Sequence, residues 1–340
     1  MKADNSVQLS LKRIRVIVLA VIVLCLSVLL SLAVGTVRIS AAEIMELIRG
    51  ETIAGYRQHI LMNIRLPRIV TGLLAGLNLS LAGMLLQGIL RNPMASPNTI
   101  GVNAGAGFAA VIVMTIFPGQ VVLIPVAAFV GALLTAFFVY TLSLANQHAD
   151  NTFIILAGMA IAALLSALTS ALMLLNAEVL DITFSWLLGS LSGRSWSSVT
   201  LLLPYTIAGF LLAFAISPKI NMFILGDEMA TSMGLSIRLY KALIIIIAAV
   251  LAGSAVSVAG TIGFVGLIAP HVTRLLIGVD YRYTVPLSCI LGAILLVLSD
   301  TVARTIFQPI ELSVGIVTAV LGAPFFLMLF LNKGRKRVIF

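Results

Sequence analysis

Three arginines are the side chains best placed to do chemistry in this chain. Arg65 and Arg68 stand three residues apart, so they share a helix face if a helix starts early enough, and Arg304 stands near the end of a later apolar run. A guanidinium pairs with a carboxylate through two parallel donors, which suits reversible docking of an acidic surface. Arg304 has a local alternative partner in Asp300, four residues before it, and both uses stay open. Residues for metal or bond-making chemistry are sparse. His271 follows Pro270, and one imidazole without convergent partners is a poor metal site, so it reads as a structural hydrogen-bonding group. Cys25 and Cys289 both sit in apolar runs and read as small core residues, with neither a disulfide nor a metal role. No G-x-x-x-x-G-K-[ST] segment occurs, so any nucleotide must be handled by another chain. No Asp, Glu or Lys stands mid-span as a proton relay, which weakens proton coupling while leaving sodium held by backbone carbonyls open. A membrane-embedded enzyme would need convergent His, Asp or Glu that this chain lacks, so the chain is expected to be no enzyme.

The elements that must position these residues follow from composition. Of 340 residues, 61% are hydrophobic and 10% charged, with mean hydropathy +1.16. Soluble domains carry roughly 25% charged residues, so this chain is built for lipid. Charge-free windows run from Val16 to Gly35, Ile69 to Leu90, Asn92 to Ala149, Asn151 to Ala177, Ser198 to Ser217, Ala242 to Thr273, Tyr283 to Ser299 and Leu312 to Leu331. One span takes about 20 apolar residues. The third window therefore holds two helices divided near Phe117-Pro118-Gly119, and the sixth splits at Gly260 to Gly263 into a full span and a shorter helix. The first window is too long for a signal-peptide core and reads as an uncleaved span. The expectation is an all-α polytopic membrane protein of ten transmembrane helices, a single transmembrane domain over 1–340.

The basic residues orient it. With both termini in the cytoplasm, fourteen of the 21 Lys and Arg fall inside with five acids, and seven fall outside with seven acids. The whole +9 excess then lies on the inner face, as the positive-inside tendency and anionic lipid favour. That places a cytoplasmic N-terminus at 1–15, a cytoplasmic loop at 218–238 and a cytoplasmic C-terminus at 333–340. A pI near 10.0 is thereby explained without nucleic acid, which would need Lys and Arg clustered on a wettable face.

A repeat organises the spans. Ala75 to Gly83 and Ala252 to Gly260 share the pattern A-G-x-x-x-S-x-A-G. Small residues at this spacing let helices approach closely in lipid. Each copy ends just before a Pro/Gly-broken stretch, and the two helices run in opposite directions. Inverted repeats with helices broken at matching positions mark a solute pathway, here pairing helices 2–5 with helices 7–10. The breakers after the first copy include Asn92 and Pro93; those after the second include Gly260, Gly263, Gly266 and Pro270. In the 218–238 loop, Leu225-Gly226-Asp227-Glu228-Met229-Ala230-Thr231-Ser232-Met233-Gly234 has acids for a helix start, Met229 and Met233 as i,i+4 neighbours, and Gly234 to end the helix. It fits either a contact element for another subunit or an amphipathic helix lying on lipid.

Several ordered motifs together resemble one family over nearly the whole chain. Arg65-Leu66-Pro67-Arg68, the Asn92-Pro93 segment, Gly260-Thr261-Ile262-Gly263-Phe264-Val265-Gly266-Leu267-Ile268-Ala269-Pro270-His271, Asp300 to Arg304, Glu311 to Gly315 and Leu321-Gly322-Ala323-Pro324 are similar to those of FecCD-type permeases. These are membrane subunits of ABC importers for ferric siderophores, haem and vitamin B12. The resemblance implies a ten-helix permease in a bacterial inner membrane, paired with a second copy or a paralogue. It also implies two cytoplasmic ATPase subunits that hold the ATP and Mg, an extracytoplasmic binding protein, an iron chelate as cargo and no cofactor on this chain. By resemblance, Arg65, Arg68 and Arg304 meet glutamates of the binding protein, and the 225–234 segment is the coupling element that seats in the ATPase. The fifth, eighth and tenth helices face the pore, with the loop Asn146 to Thr152 near the inner gate. Thr169, Ser170, Met173 and Asn176 are candidate wall residues because they set small or polar groups along the fifth helix; ordinary interhelical hydrogen bonding is the alternative.

Overall fold

The computed structural model describes residues 2–35, 37, 39–50, 55–145 and 151–332. Fourteen α-helices cover them: α1 (Lys2–Ala33), the short α2 (Ala41–Ile48) and α3 (Gly55–His59), α4 (Leu66–Leu90), α5 (Val102–Ile116), α6 (Leu123–Ala145) and α7 (Asn151–Leu175). The short α8 (Leu180–Leu187) follows, then α9 (Trp196–Ile224), the short α10 (Asp227–Ser232), α11 (Ile237–Ala259), α12 (Val265–Ile277), α13 (Tyr281–Ala303) and α14 (Val314–Asn332). No strand occurs among the described residues. Among the described residues, seven helices are long and apolar enough to cross a membrane, and three shorter apolar ones, α5, α12 and the part of α14 from Val314 to Met328, bring the set to the ten expected. The C-terminal segment 333–340 lies outside the described residues, as do 146–150 of the expected gate loop.

Local chemistry explains where the pathway helices break. At about 1.5 Å per residue, the 13 residues of α12 reach only about 20 Å, short of a hydrocarbon core of about 30 Å. Residues 260–263 ahead of it are non-helical, and Gly260 turns the chain at φ 72°, where a Cβ would run into the Trp186 carbonyl and Gly189. In the first half, α4 ends on Arg91 in the left-handed region, a non-helical connection over 92–101 follows, and α5 starts after Gly101 at φ 81°. The matching start of α12 also follows a left-handed residue, Phe264 at φ 66°. The repeat is thus visible in backbone as well as in sequence.

The helix packing has the same symmetry. α4 packs on α13 as α11 packs on α6; α5 on α6 as α12 on α13; α5 on α7 as α12 on α14; and α5 on α11 as α12 on α4. α4 and α11 also meet each other, so the two repeat motifs touch: Asn78 Nδ2 donates to Ser254 Oγ at 3.2 Å. Ser80 Oγ lies 2.7 Å from Ser288 Oγ, and Gly76 and Gly83 let α4 sit directly on the Gly292 and Gly266 backbones. α4, α11 and α13 are therefore the buried core, whereas α1 and α7 expose most of their length. Cys289 is in that core, but Cys25 faces outward on α1, contrary to its expected core position.

Candidate functional site

A cavity, a loop groove at one end of the bundle and a charged cluster at the other hold most of the candidate functional residues. The cavity, of about 340 Å³, lies between α5, α7, the end of α8 and the broken segment before α12. Thr169, Ser170 and Met173 line it from α7 and Gly263 from the broken segment. Asn103 on α5 and Thr261 complete its polar wall. No charged side chain lines it, so its contacts are neutral hydrogen bonds and dispersion.

Neighbouring backbone fixes the wall. Thr261 Oγ1 donates to the Leu187 carbonyl, Ser190 N donates to the Ala259 carbonyl at 2.8 Å, and Gly315 N donates to Gly189 O at 3.3 Å. Asn103 Nδ2 reaches the Ile262 carbonyl at 3.5 Å, and its buried Oδ1 has no partner among the described residues. Other expected pathway residues stand elsewhere. Asn176 caps its own helix through the Leu172 carbonyl at 2.9 Å. Asn92 Oδ1 accepts from Met94 N at 2.9 Å, so Asn92 and Pro93 build the turn after α4. Gly266 is taken up by α4, Gly260 by the α8–α9 segment, and Pro270 is buried within α12. The third helix, α5, contributes to this cavity and the tenth, α14, does not. The spacing of Asn98, Asn103 and Thr261 in Pro/Gly-broken sequence was the available signal for the missed wall residues.

The loop groove belongs to α10. Gly226 opens it at φ 107°, and Gly234 follows it at φ 85°. Leu225, Met229 and Met233 are more than half exposed while Ala230 is fully buried, so the element is anchored on one side and presents apolar groups on the other. Glu228 and Ser232 are exposed beside them, and a groove of about 630 Å³ runs along Leu225 to Met229, Ser232 and Arg91. Asp227 ties α10 to the bundle. Its carboxylate lies 2.6 Å from Lys241 Nζ on α11 and 3.6 Å from Arg91 at the end of α4. Lys241 also donates to Asn151 Oδ1 at 2.9 Å, at the first residue of α7. An unbroken chain of polar contacts thus joins the exposed loop to the helix that walls the cavity.

At the other end, Arg65, Arg68 and Arg304, the candidate docking residues, all have partners within the chain. All three are buried, at 4%, 7% and 5% exposure. Arg68 holds Asp300 through two donors, each at 2.9 Å, and Glu311 through a third at 2.9 Å. Arg304 donates to Ser31 and keeps Asp300 at 3.9 Å. Arg65 donates to the Leu32 carbonyl at 2.6 Å and to the Val37 carbonyl. Arg304 thus keeps its i,i+4 neighbour Asp300 within ion-pair distance, while Arg68, 232 residues away in sequence, holds that carboxylate more closely. Buried guanidinium groups need acceptors, and the joints between α1, α4 and α13 supply them. On the same side, the Ser40 backbone N–H and the Arg57 guanidinium hold the Glu43 carboxyl down at about 2. Burial pushes the Arg194 guanidinium below its usual range, in the α8–α9 connection. His271 lies edge-on to Phe325 at 6.2 Å, a packing position, and no cluster of three or more His, Cys, Asp or Glu forms among the described residues.

A broken-helix inverted repeat around an uncharged cavity narrows the possibilities, and sequence comparison decides. Residues 20–332 match the FecCD transport family. The chain belongs to that family. It is 39% identical over 324 residues to the Fe(3+)-citrate import permease YfmE of Bacillus subtilis, covering 95% of this chain and 96% of that one. It is 41% identical over 276 residues to the cobalamin import permease BtuC of Halobacterium salinarum, covering 81% and 74%. Similarity to the hemin transport permease HmuU of Yersinia pestis is 38% over 289 residues, covering 82% and 85%. Among solved structures, an inward-facing conformation assigned to the metal-chelate type of ABC transporter superposes with a TM-score of 0.84 at 28% identity. It covers 94% of this chain and 99% of that one. The FecCD assignment and the ten-helix fold agree.

Proposed function

We propose that this chain is the permease subunit of an ABC importer that carries a ferric chelate, of the citrate or siderophore class, into a bacterial cytoplasm. The single observation that carries the reading is the Asp227–Lys241–Asn151 chain of contacts, which connects an exposed apolar loop to the helix lining an uncharged cavity. A subunit that grips Leu225, Met229 and Met233 can move α10, and the charge-assisted contacts pass that motion to the start of α7. A smooth wall of Thr169, Ser170, Asn103 and Met173 makes weak contacts, which lets a bulky chelate pass without being trapped. Two ATPase subunits would supply the energy, a second permease copy or paralogue would complete the pathway, and a binding protein would deliver cargo at the Arg68 end. Both termini lie in the cytoplasm in this reading. Because Arg65, Arg68 and Arg304 are engaged internally, docking would use the rim of that cluster, where Glu311 is its exposed member.

The test is reconstitution in vesicles with the cognate ATPase and binding protein, following radiolabelled ferric citrate, ferric siderophores, haem and cobalamin. ATP-dependent accumulation of a ferric chelate, blocked by Thr169→Trp or Ser170→Trp with ATPase activity retained, is expected. Accumulation of haem or cobalamin alone would reassign the cargo. Uptake driven by a sodium gradient without the ATPase would overturn the importer.

A further inference from the structure

A separate cavity of about 290 Å³ opens at the α10 end of the bundle, among the ends of α4, α9 and α12 and the start of α13. Two guanidinium groups line it, Arg91 and Arg274, together with Gln87 and the Tyr281 ring. Gly88, Ile224 and Val279 form an apolar wall. No carboxylate lines it. The charges nearby are already matched elsewhere: Asp280 takes Arg13 at 3.4 Å and Asn221 at 3.0 Å, and Asp227 takes Lys241 at 2.6 Å and Arg91 at 3.6 Å.

Arg274 is therefore left with neutral company. It donates to Gln87 Oε1, and another of its nitrogens has the Met84 sulfur at 3.8 Å, a weak acceptor. No carboxylate of the described residues lies within ion-pair distance of it. A cation half-buried at the end of a membrane helix with neutral partners is costly unless an anion enters. The cavity offers what such an anion needs, donors on one side and an apolar wall on the other. A hydrated inorganic ion gains nothing from Ile224 and Val279, whereas a lipid phosphate brings a glycerol and acyl chain that cover them. Basic pockets between helices at a membrane boundary are suited to anionic headgroups.

We propose that this cavity binds the phosphate of an anionic phospholipid through Arg274, with Arg91 as the second donor and Tyr281 and Gln87 shaping the site. The lipid neutralises Arg274 and braces α12 against α4 and α13, at the end of the bundle where α10 is attached. The inference does not depend on the importer reading.

The experiment uses the full chain, purified from nanodiscs of phosphatidylcholine with or without phosphatidylglycerol and examined by native mass spectrometry and thermal unfolding. The wild type should keep one phosphatidylglycerol and unfold at a higher temperature when it is present. Arg274→Met and Val279→Trp, which removes the charge or fills the cavity respectively, should each reduce retention about tenfold, the weight of one charge-assisted contact. Arg274→Lys should keep most of it. If Arg274→Met fails to fold, Val279→Trp alone decides. Unchanged retention in Val279→Trp would overturn the site. Equal, Arg274-dependent stabilisation by inorganic phosphate in lipid-free detergent would overturn the lipid assignment. Release of the lipid on adding ATPase subunits would show that an acidic group of that partner fills the cavity instead.

Discussion

Replacing Asp300 by Ala should destabilise this protein far more than replacing any other acid of the same cluster. Asp300 is almost fully buried and receives two donors from Arg68, each at 2.9 Å, with Arg304 a further 3.9 Å away. Without it, two buried guanidinium groups lose their shared anion, and Arg304 Nε already lacks a hydrogen-bond partner. Breaking a buried pair by removing one partner costs about 3–5 kcal/mol, since the survivor stays desolvated. Glu311 meets the same Arg68 at 2.9 Å but is 37% exposed, so Glu311→Ala should cost only about 0–1 kcal/mol. The double variant Arg68→Met with Asp300→Leu should recover most of the loss, because an apolar pair of similar volume is often neutral in place of a buried ion pair. The assay is unfolding of the purified chain in mixed micelles, read as a double-mutant cycle. A cost below about 1 kcal/mol for Asp300→Ala, or a double variant no better than the single, would refute the argument. The same cycle warns that charge reversal at Arg68 would report on folding before it reported on docking.

Three further outcomes are expected. Lys241→Met should leave the chain folded but break the link from α10 to α7, lowering uptake per ATP hydrolysed severalfold, while Lys241→Arg keeps much of it; equal coupling in both would remove Lys241 from the transmission path. Gly83→Ala should abolish folded protein because its Cβ would overlap the Gly266 carbonyl, whereas Gly263→Ala meets no atom within 4 Å and should fold normally; comparing yields and thermal midpoints checks both. Glu43, with its carboxyl held at about 2, stabilises the start of α2 fully above its ordinary value of 4.5 and loses that contribution as pH falls through 2. Hydrogen exchange over residues 41–48 should therefore differ between wild type and Glu43→Gln at pH 5 and converge near pH 2.

The spans were legible because lipid imposes a long apolar run on each, and Gly260 and Gly263 announced the break before α12. The turn of α10 was equally legible, from Gly226, the acids that follow it and Gly234. What sequence order could not carry was the pairing of distant side chains. Asp300 had a neighbour at i,i+4 in Arg304, and that local rule concealed the better-aligned Arg68 on another helix. Nor did anything near Lys241 indicate Asn151, which comes to it only when α7 and α11 start at the same end of the bundle. The cavity wall was half legible: Thr169, Ser170 and Met173 share a face of α7, but Asn103 sits in the first turn of α5 and Thr261 in irregular backbone with no period to read.

Symmetry in the packing separates the parts that must hold from the parts that can move. The contacts relating the two repeats centre on α4, α11 and α13, where Gly76, Gly83 and Gly292 put backbone directly on backbone. Close approach of this kind leaves no room for sliding, because shifting by even a fraction of a turn drives a side chain into a carbonyl. α7 has the opposite character. It packs on α5 and α6, exposes Leu156, Met159 and Leu164 along one flank, and presents Ala162, Ser166, Thr169, Ser170 and Met173, none of them charged, to the cavity. In the proposed importer, the start of α7 is the point to which the Asp227–Lys241–Asn151 contacts would carry a movement of α10. Alternating access, as proposed for this chain, would then need no deformation of the glycine-packed core. It would need only that α7 shift against α5, opening or closing a cavity whose uncharged wall favours neither side for release of the cargo.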